Sequence, residues 1–255
     1  MLIVNRNFRI MASEEIFYHF QLKICFWEGC CMLKIFVMFF LFSFQFTFAQ
    51  RNNEVINVPN GSPLILGNLI NQDAWKTARQ IKSGGGNEVF VVHDNNFLYV
   101  GFRGNYEPWS HLYINNRNSV YVLHITASMG RVVYNLNQYG NWRPDRPFNW
   151  KIRKNGQDYE NLKLVDSKVF LKKEGWITSV NMNGEKKEIV FKIDIKNFDK
   201  NNLYVALVFG FKGTSYLFWP STLNDDTLKP EIFTGYNPSD LRFNLKNWTL
   251  LKFDK

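Results

Sequence analysis

Cysteine is scarce: the 255-residue chain has 3, Cys25, Cys30 and Cys31, and none follows residue 31. A domain built from the remainder has no disulfide and no thiol nucleophile, which excludes thiol catalysis. Enzyme signatures are missing as well. There is no Gly-x-Ser-x-Gly elbow, no phosphate-binding loop and no His-Glu-x-x-His. Beyond residue 49 the only histidines are His93, His111 and His124. They are widely spaced and on different expected strands, so a metal site would need the fold to bring them together. Paired acids for glycoside hydrolysis are defined by spatial separation, and few carboxylates here sit in apolar surroundings that would raise a pKa. Helical periodicity is almost absent. Only residues 72–81 predict a short helix near the start of the mature chain, with Asn71 as its cap.

The first positive signal begins at Met32, where the chain reads MLKIFVMFFLFSFQFTFAQ. Lys34 supplies a positive start and an apolar run follows. Thr47 and Ala49 place small residues where a signal peptidase reads. The run is interrupted by Ser43, Gln45 and Thr47 and is shorter than the roughly 20 apolar residues of a membrane span. No cysteine follows it, so a lipid anchor is not expected. Cleavage after Ala49 leaves Gln50 as the new N-terminus and no transmembrane segment. The reading is therefore residues 1–31 as an over-extended start outside the fold, 32–49 as a signal peptide, and 50–255 as one domain. The expected location is secreted, periplasmic or cell-surface.

Residues 50–255 carry 27 Lys and Arg against 19 Asp and Glu, a formal charge of +8. Such a charge favours acidic surfaces, yet the lysines are scattered as on solvated strand faces. No nucleic-acid motif is present. Period-two alternation dominates. Strands are expected at 87–93, 97–103, 110–115, 119–127, 175–182, 188–194, 203–210, 214–219 and 248–252. Between them lie Asn-, Asp- and Gly-rich clusters that tolerate the backbone of tight turns. Many short strands at regular spacing predict an all-β antiparallel sandwich, of jelly-roll or immunoglobulin-like kind. In 110–115, Leu112 and Ile114 share one face and His111 and Tyr113 the other, which predicts a half-buried strand. In 119–127 both faces are apolar, which predicts a central strand covered on both sides. Residues 136–156 break the pattern and read as a long aromatic loop suited to binding.

Aromatic side chains are the richest feature. Trp75, Trp176 and Trp248 fall inside expected elements and read as core. Trp109, Trp142 and Trp219 adjoin turns and prolines, where an exposed indole can stack on the C–H face of a pyranose. The candidate ligand-binding set is Trp109, His111, Tyr113, Arg103, Trp142, Trp150 and Trp219, and no catalytic residue is assigned. Asp225 and Asp226 supply only two of the several oxygens that calcium requires.

Several segments resemble a family 9 carbohydrate-binding module, or more broadly a DOMON-like sandwich. Residues 63–69 followed by Asp73-Ala74-Trp75 are similar to the family's opening. VFVVHDNNFLYVGFR (89–103) is similar to its first strand pair, and Glu107-Pro108-Trp109 before Leu112-Tyr113-Ile114 to its tryptophan-then-strand. Residues 175–194 and 205–233 are similar to its later strands. The resemblance implies a β-sandwich that holds sugar between two tryptophans and carries structural calcium. It places Trp109 as the first tryptophan. Near 225–230, where the second belongs, this chain has no aromatic residue, and Ser110-His111 replace the family's acidic stretch. VLHITASMG (122–130), with Trp142 and Phe148-Asn149-Trp150, is similar to a DOMON-like subgroup. The leading expectation is a secreted, non-catalytic binder of poly- or oligosaccharide, accessory to carbohydrate catabolism, with any activity tied to glycoside hydrolysis. Two alternatives stand beside it. One is a haem-binding DOMON-like domain using Met129 or Met182 with His124 or His111. The other is a structural cell-surface protein without a small ligand.

Overall fold

The computed structural model describes residues 53–64, 66, 73–105, 109–126, 128–146, 149–152, 167–181, 186–210, 216–221, 223 and 241–254. All fall within one compact unit, Asn52–Lys255. In chain order the strands are β1 (Val55–Val58), β2 (Arg79–Ser83), β3 (Asn87–His93), β4 (Phe97–Gly104), β5 (Ser110–Asn116), β6 (Ser119–Ile125), β7 (Met129–Leu136), β8 (Trp142–Pro144) and β9 (Asn149–Ile152). Helix α1 (Ser167–Glu174) follows, then β10 (Trp176–Asn181), β11 (Lys187–Asp194), β12 (Leu203–Gly210), β13 (Tyr216–Trp219) and β14 (Thr249–Phe253).

These strands form two sheets. The nine-stranded sheet runs β1-β14-β12-β5-β6-β7-β8, with β13 also paired to β12 and β9 to β7. The five-stranded sheet runs β10-β11-β4-β3-β2. Alternate residues of both sheets meet in a common apolar core. Val89, Val100, Phe102 and Phe191 come from the small sheet, and Leu112, Leu123, Val205 and Phe209 from the large one. Phe102 and Phe209 touch across the interface with ring centroids 3.8 Å apart. This is the sandwich that the alternation predicts. The pairings between its described strands are antiparallel except β1 with β14, which is parallel, as is the isolated bridge of Asn60 with His93.

Several local expectations need correction. Within residues 72–81 the structure has one 3-10 turn, Asp73–Trp75, and then strand β2. The helix-favouring residues of Arg79–Ile81 pair with Val89–Val91 instead, because tertiary pairing outweighs a weak propensity. Gly85 and Gly86, with φ of 74° and 78°, take the left-handed backbone that turns β2 into β3. Residues 136–156 are not one long loop: the end of β7 is followed by β8 and β9. Among the described residues the α-helix lies at Ser167–Glu174, where no element was expected. Arg131 of β7 fastens its end by donating to the Glu174 carbonyl at 3.0 Å.

β6 is central and buried on both faces, as expected: Leu123 and Ile125 face the inter-sheet core, Val120 and Val122 the outside of the large sheet. β5, expected to be half-buried, is buried on both faces as well. The outer face of the large sheet is covered by a strap of chain from residue 241 to 248. Leu241, Phe243 and Trp248 of that strap pack on Tyr113, Val120, Val132 and Tyr134. Phe243 is edge-on to Tyr113, Tyr134, Trp142 and Trp248, at 5.5 to 6.2 Å between centroids. Trp142 and Leu241 exchange backbone hydrogen bonds at 3.0 Å. Asn53 holds the far end of the strap, donating to the carbonyls of Leu245 and Trp248. The signal-peptide reading, Asp225, Asp226 and Met182 lie outside the described residues.

Candidate functional site

Of the candidate residues, Trp109 occupies the position best suited to a ligand. It lies just before β5, where Gly210 of β12 stands between it and Tyr216 of β13: Gly210 donates its N–H to the Trp109 carbonyl, and Gly210 pairs with Tyr216. A side chain at Gly210 has no room. A Cβ built there would overlap Nε1, Cε2 and Cζ2 of the indole, so glycine at this position lets the ring lie against the strand. The half-buried indole meets the Tyr216 ring at 5.6 Å and 63°, and Tyr216 is 37% exposed. Two aromatic rings thus form an angled corner at one end of the large sheet. Tyr216 was not among the sequence candidates. Its signal was the alternation of Ser-Tyr-Leu-Phe-Trp, which puts Tyr216 and Phe218 on the face opposite the buried Trp219.

Beneath this corner lie His111 and His124, cross-strand neighbours on β5 and β6. His124 Nδ1 and His111 Nε2 share a hydrogen bond of 2.9 Å, and neither ring is exposed. A bond between two imidazole nitrogens needs one as donor and one as acceptor, which a neutral pair supplies. Burial holds His111 well below its usual proton affinity, the adjacent His124 adding to the effect, and pushes the pKa of His124 down to about 3. His111 contacts the indole of Trp109 at 6.0 Å and stacks on Tyr113, also at 6.0 Å. The pair therefore supports the corner from below and presents no surface to solvent.

The other candidates are dispersed. Tyr113 is fully buried under the strap, against Phe243 and Trp248. Trp142 is 4% exposed in the same cluster. It pairs with Leu136 at the far end of β7, about 20 Å along the strand from the His111 row. Trp219 is 2% exposed in the inter-sheet core. Arg103 belongs to the small sheet, on the opposite side of the sandwich. Its Nε lies 2.9 Å from Glu88 and its guanidinium lies over Phe90. Trp150 is opposite Gly130 in the ladder, in the same cross-strand row as His124 and His111. Three strand spacings separate it from His111, about 14 Å. The structure thus brings Trp109 and His111 together with Tyr216, places Trp150 at the same end by register, and leaves Arg103, Trp142 and Trp219 elsewhere.

For haem, His111 and His124 face outward from the large sheet, whereas Met129 packs in the inter-sheet core. A histidine and Met129 therefore do not face a common iron. Among the described residues no group of three or more His, Cys, Asp or Glu is placed to hold a metal ion. Asp94 is a carboxylate in a structural role: it accepts from the amides of Asn96 and Phe97 and from the Tyr99 hydroxyl, each at 2.7 Å.

No protein-family model matches the chain, and no curated protein does. Solved structures similar to it include a family 9 carbohydrate-binding module from Caldicellulosiruptor kristjanssonii in complex with glucose. The identity is 13%, the match covers 79% of this chain and 97% of that one, and the TM-score is 0.39. A structure of a family 9 module from the same organism in complex with cellotriose is 12% identical, over 79% and 95% of the two chains, at a TM-score of 0.38. At such identities and scores neither carries a residue role to this chain.

Proposed function

We propose that this protein is a secreted, non-catalytic carbohydrate-binding protein, accessory to glycan breakdown, that holds a sugar ring at the corner of Trp109 and Tyr216. The observation that carries this reading is the half-buried indole seated on Gly210 beside an exposed tyrosine ring. A pyranose has an apolar C–H face and a polar rim. An indole supplies a flat apolar surface for the first, and a phenol set at an angle supplies a wall ending in a hydroxyl for the second. The buried histidine pair fixes the base on which the indole rests, so the surface is preorganised and little side-chain entropy is lost on binding.

The reading is tested by affinity electrophoresis in gels containing a panel of polysaccharides, beside calorimetric titration with glucose and cellotriose. Trp109→Ala is expected to weaken binding by roughly 10- to 100-fold, the cost of losing a central aromatic anchor, with unchanged circular dichroism. Binding that survives Trp109→Ala unchanged overturns it. Export is part of the same proposal. N-terminal sequencing of the protein recovered outside the cytoplasm is expected to begin at Gln50; an N-terminus at Met1 or Met32 contradicts cleavage after Ala49.

A further inference from the structure

The two lateral sides of the sandwich are finished differently. Helix α1 packs beside the edge strand β10, with Phe170 and Leu171 against the inter-sheet core. On the other side the edge strands β1 and β2 border a groove of about 610 Å³, whose lining includes Val55, Asn57, Thr77, Arg79 and Asp254. That volume is in the range of small-ligand sites. No aromatic ring is among the lining residues, so the groove lacks the stacking surface of the Trp109 corner and is not a second platform of that kind.

What it offers instead is a strand edge. Among the described residues β1 pairs with β14 alone. Leu250 donates to the Glu54 carbonyl at 2.7 Å and Asp254 to the Val58 carbonyl at 3.0 Å. In a parallel ladder alternate residues direct their backbone groups to the same neighbour, so the N–H and C=O of Val55 and Asn57 face away from β14. β1 reads Val-Ile-Asn-Val and carries no charge to blunt that edge, and Val55 is 50% exposed. The exposed Arg79 and Asp254 add one positive and one negative charge to the lining, and neither has an ion-pair partner among the described residues. Backbone donors and acceptors in strand register, flanked by opposite charges, are the complement of a polypeptide.

We propose that this groove takes an extended peptide, added to β1 as a further strand of the large sheet, with an acidic side chain towards Arg79 and a basic one towards Asp254. Strand addition draws its affinity from main-chain hydrogen bonds and its selectivity from the flanking side chains. The test is amide chemical-shift mapping on purified protein expressed from the full-length chain. The probes are two blocked hexapeptides, Thr-Val-Glu-Val-Lys-Thr and its charge-exchanged form Thr-Val-Lys-Val-Glu-Thr, with cellohexaose as a third. At least one peptide is expected to give saturable shifts at Val55 and Asn57. Arg79→Glu, an exposed substitution that leaves the core intact, is expected to weaken it by roughly two- to five-fold, as exposed charge pairs do. Peptides that leave Val55 and Asn57 unmoved overturn the proposal. So does cellohexaose moving them where the peptides do not, which would make the groove a glycan site.

Discussion

At Gly210 one missing methyl group decides where an indole rests. Trp109 lies where a Cβ at residue 210 would be, so Gly210→Ala is expected to displace the ring and weaken sugar binding while the strand pairing of β12 survives. Calorimetric titration beside thermal unfolding separates the two effects. Residue scale also sets the acid sensitivity. Both imidazoles of the His111–His124 pair bind a proton less readily folded than unfolded, so the unfolded chain takes up protons that the native state refuses. Their contribution is complete above about pH 6.5 and is lost as the pH falls below it, the loss from His124 running down towards about pH 3. Urea midpoints at pH 7 and pH 4.5 are expected to drop further in the wild type than in a His111→Phe, His124→Val double variant. Equal drops would contradict a neutral buried pair.

Among the elements, the strap over the large sheet and the strand β2 show what the sequence displays and what it hides. Leu241, Phe243 and Leu245 alternate with polar residues, a legible period-two stripe, but no strand signal follows from it. The chain there pairs with β8 only at the Trp142–Leu241 bridge and is held mostly by its side chains. The depth at which Trp142 and Tyr113 are buried was hidden for the same reason, because a face covered by a distant strap looks, within its own strand, like an open one. Phe243→Ala removes a ring that touches four others, and is expected to cost about 3–5 kcal/mol in denaturant unfolding. A loss below about 1 kcal/mol would mean that the strap contributes little. β2 misleads in the opposite way. Its Arg, Gln and Lys favour a helix locally, yet the charged Arg79 and Lys82 suit an edge strand that must discourage further pairing.

For the molecule as a whole, the sandwich was readable because most inner-facing residues are Val, Leu, Ile or Phe at spacing two, punctuated by Asn, Asp and Gly. The site was readable only in part. Trp109 stands out by its place before a strand, whereas Tyr216 becomes its neighbour only through the β12–β13 hairpin. Trp219, beside Pro220, has the local setting of a loop tryptophan, but strand parity turns it into the core. Charge follows the same logic: Arg103 is a surface cation in sequence, and in the fold it is engaged by Glu88 across the ladder on the far side of the sandwich.

If the aromatic corner at Trp109 and Tyr216 binds sugar, removing either ring costs affinity. Calorimetric titration of the polysaccharide that retards the wild type most, against wild type, Trp109→Ala, Tyr216→Ala and Trp142→Phe at one temperature, tests it most directly. Expected are at least a tenfold loss of affinity in Trp109→Ala, a smaller loss in Tyr216→Ala, and none in Trp142→Phe, whose ring lies under the strap. Equal affinity in wild type and Trp109→Ala, or a loss confined to Trp142→Phe, would contradict it.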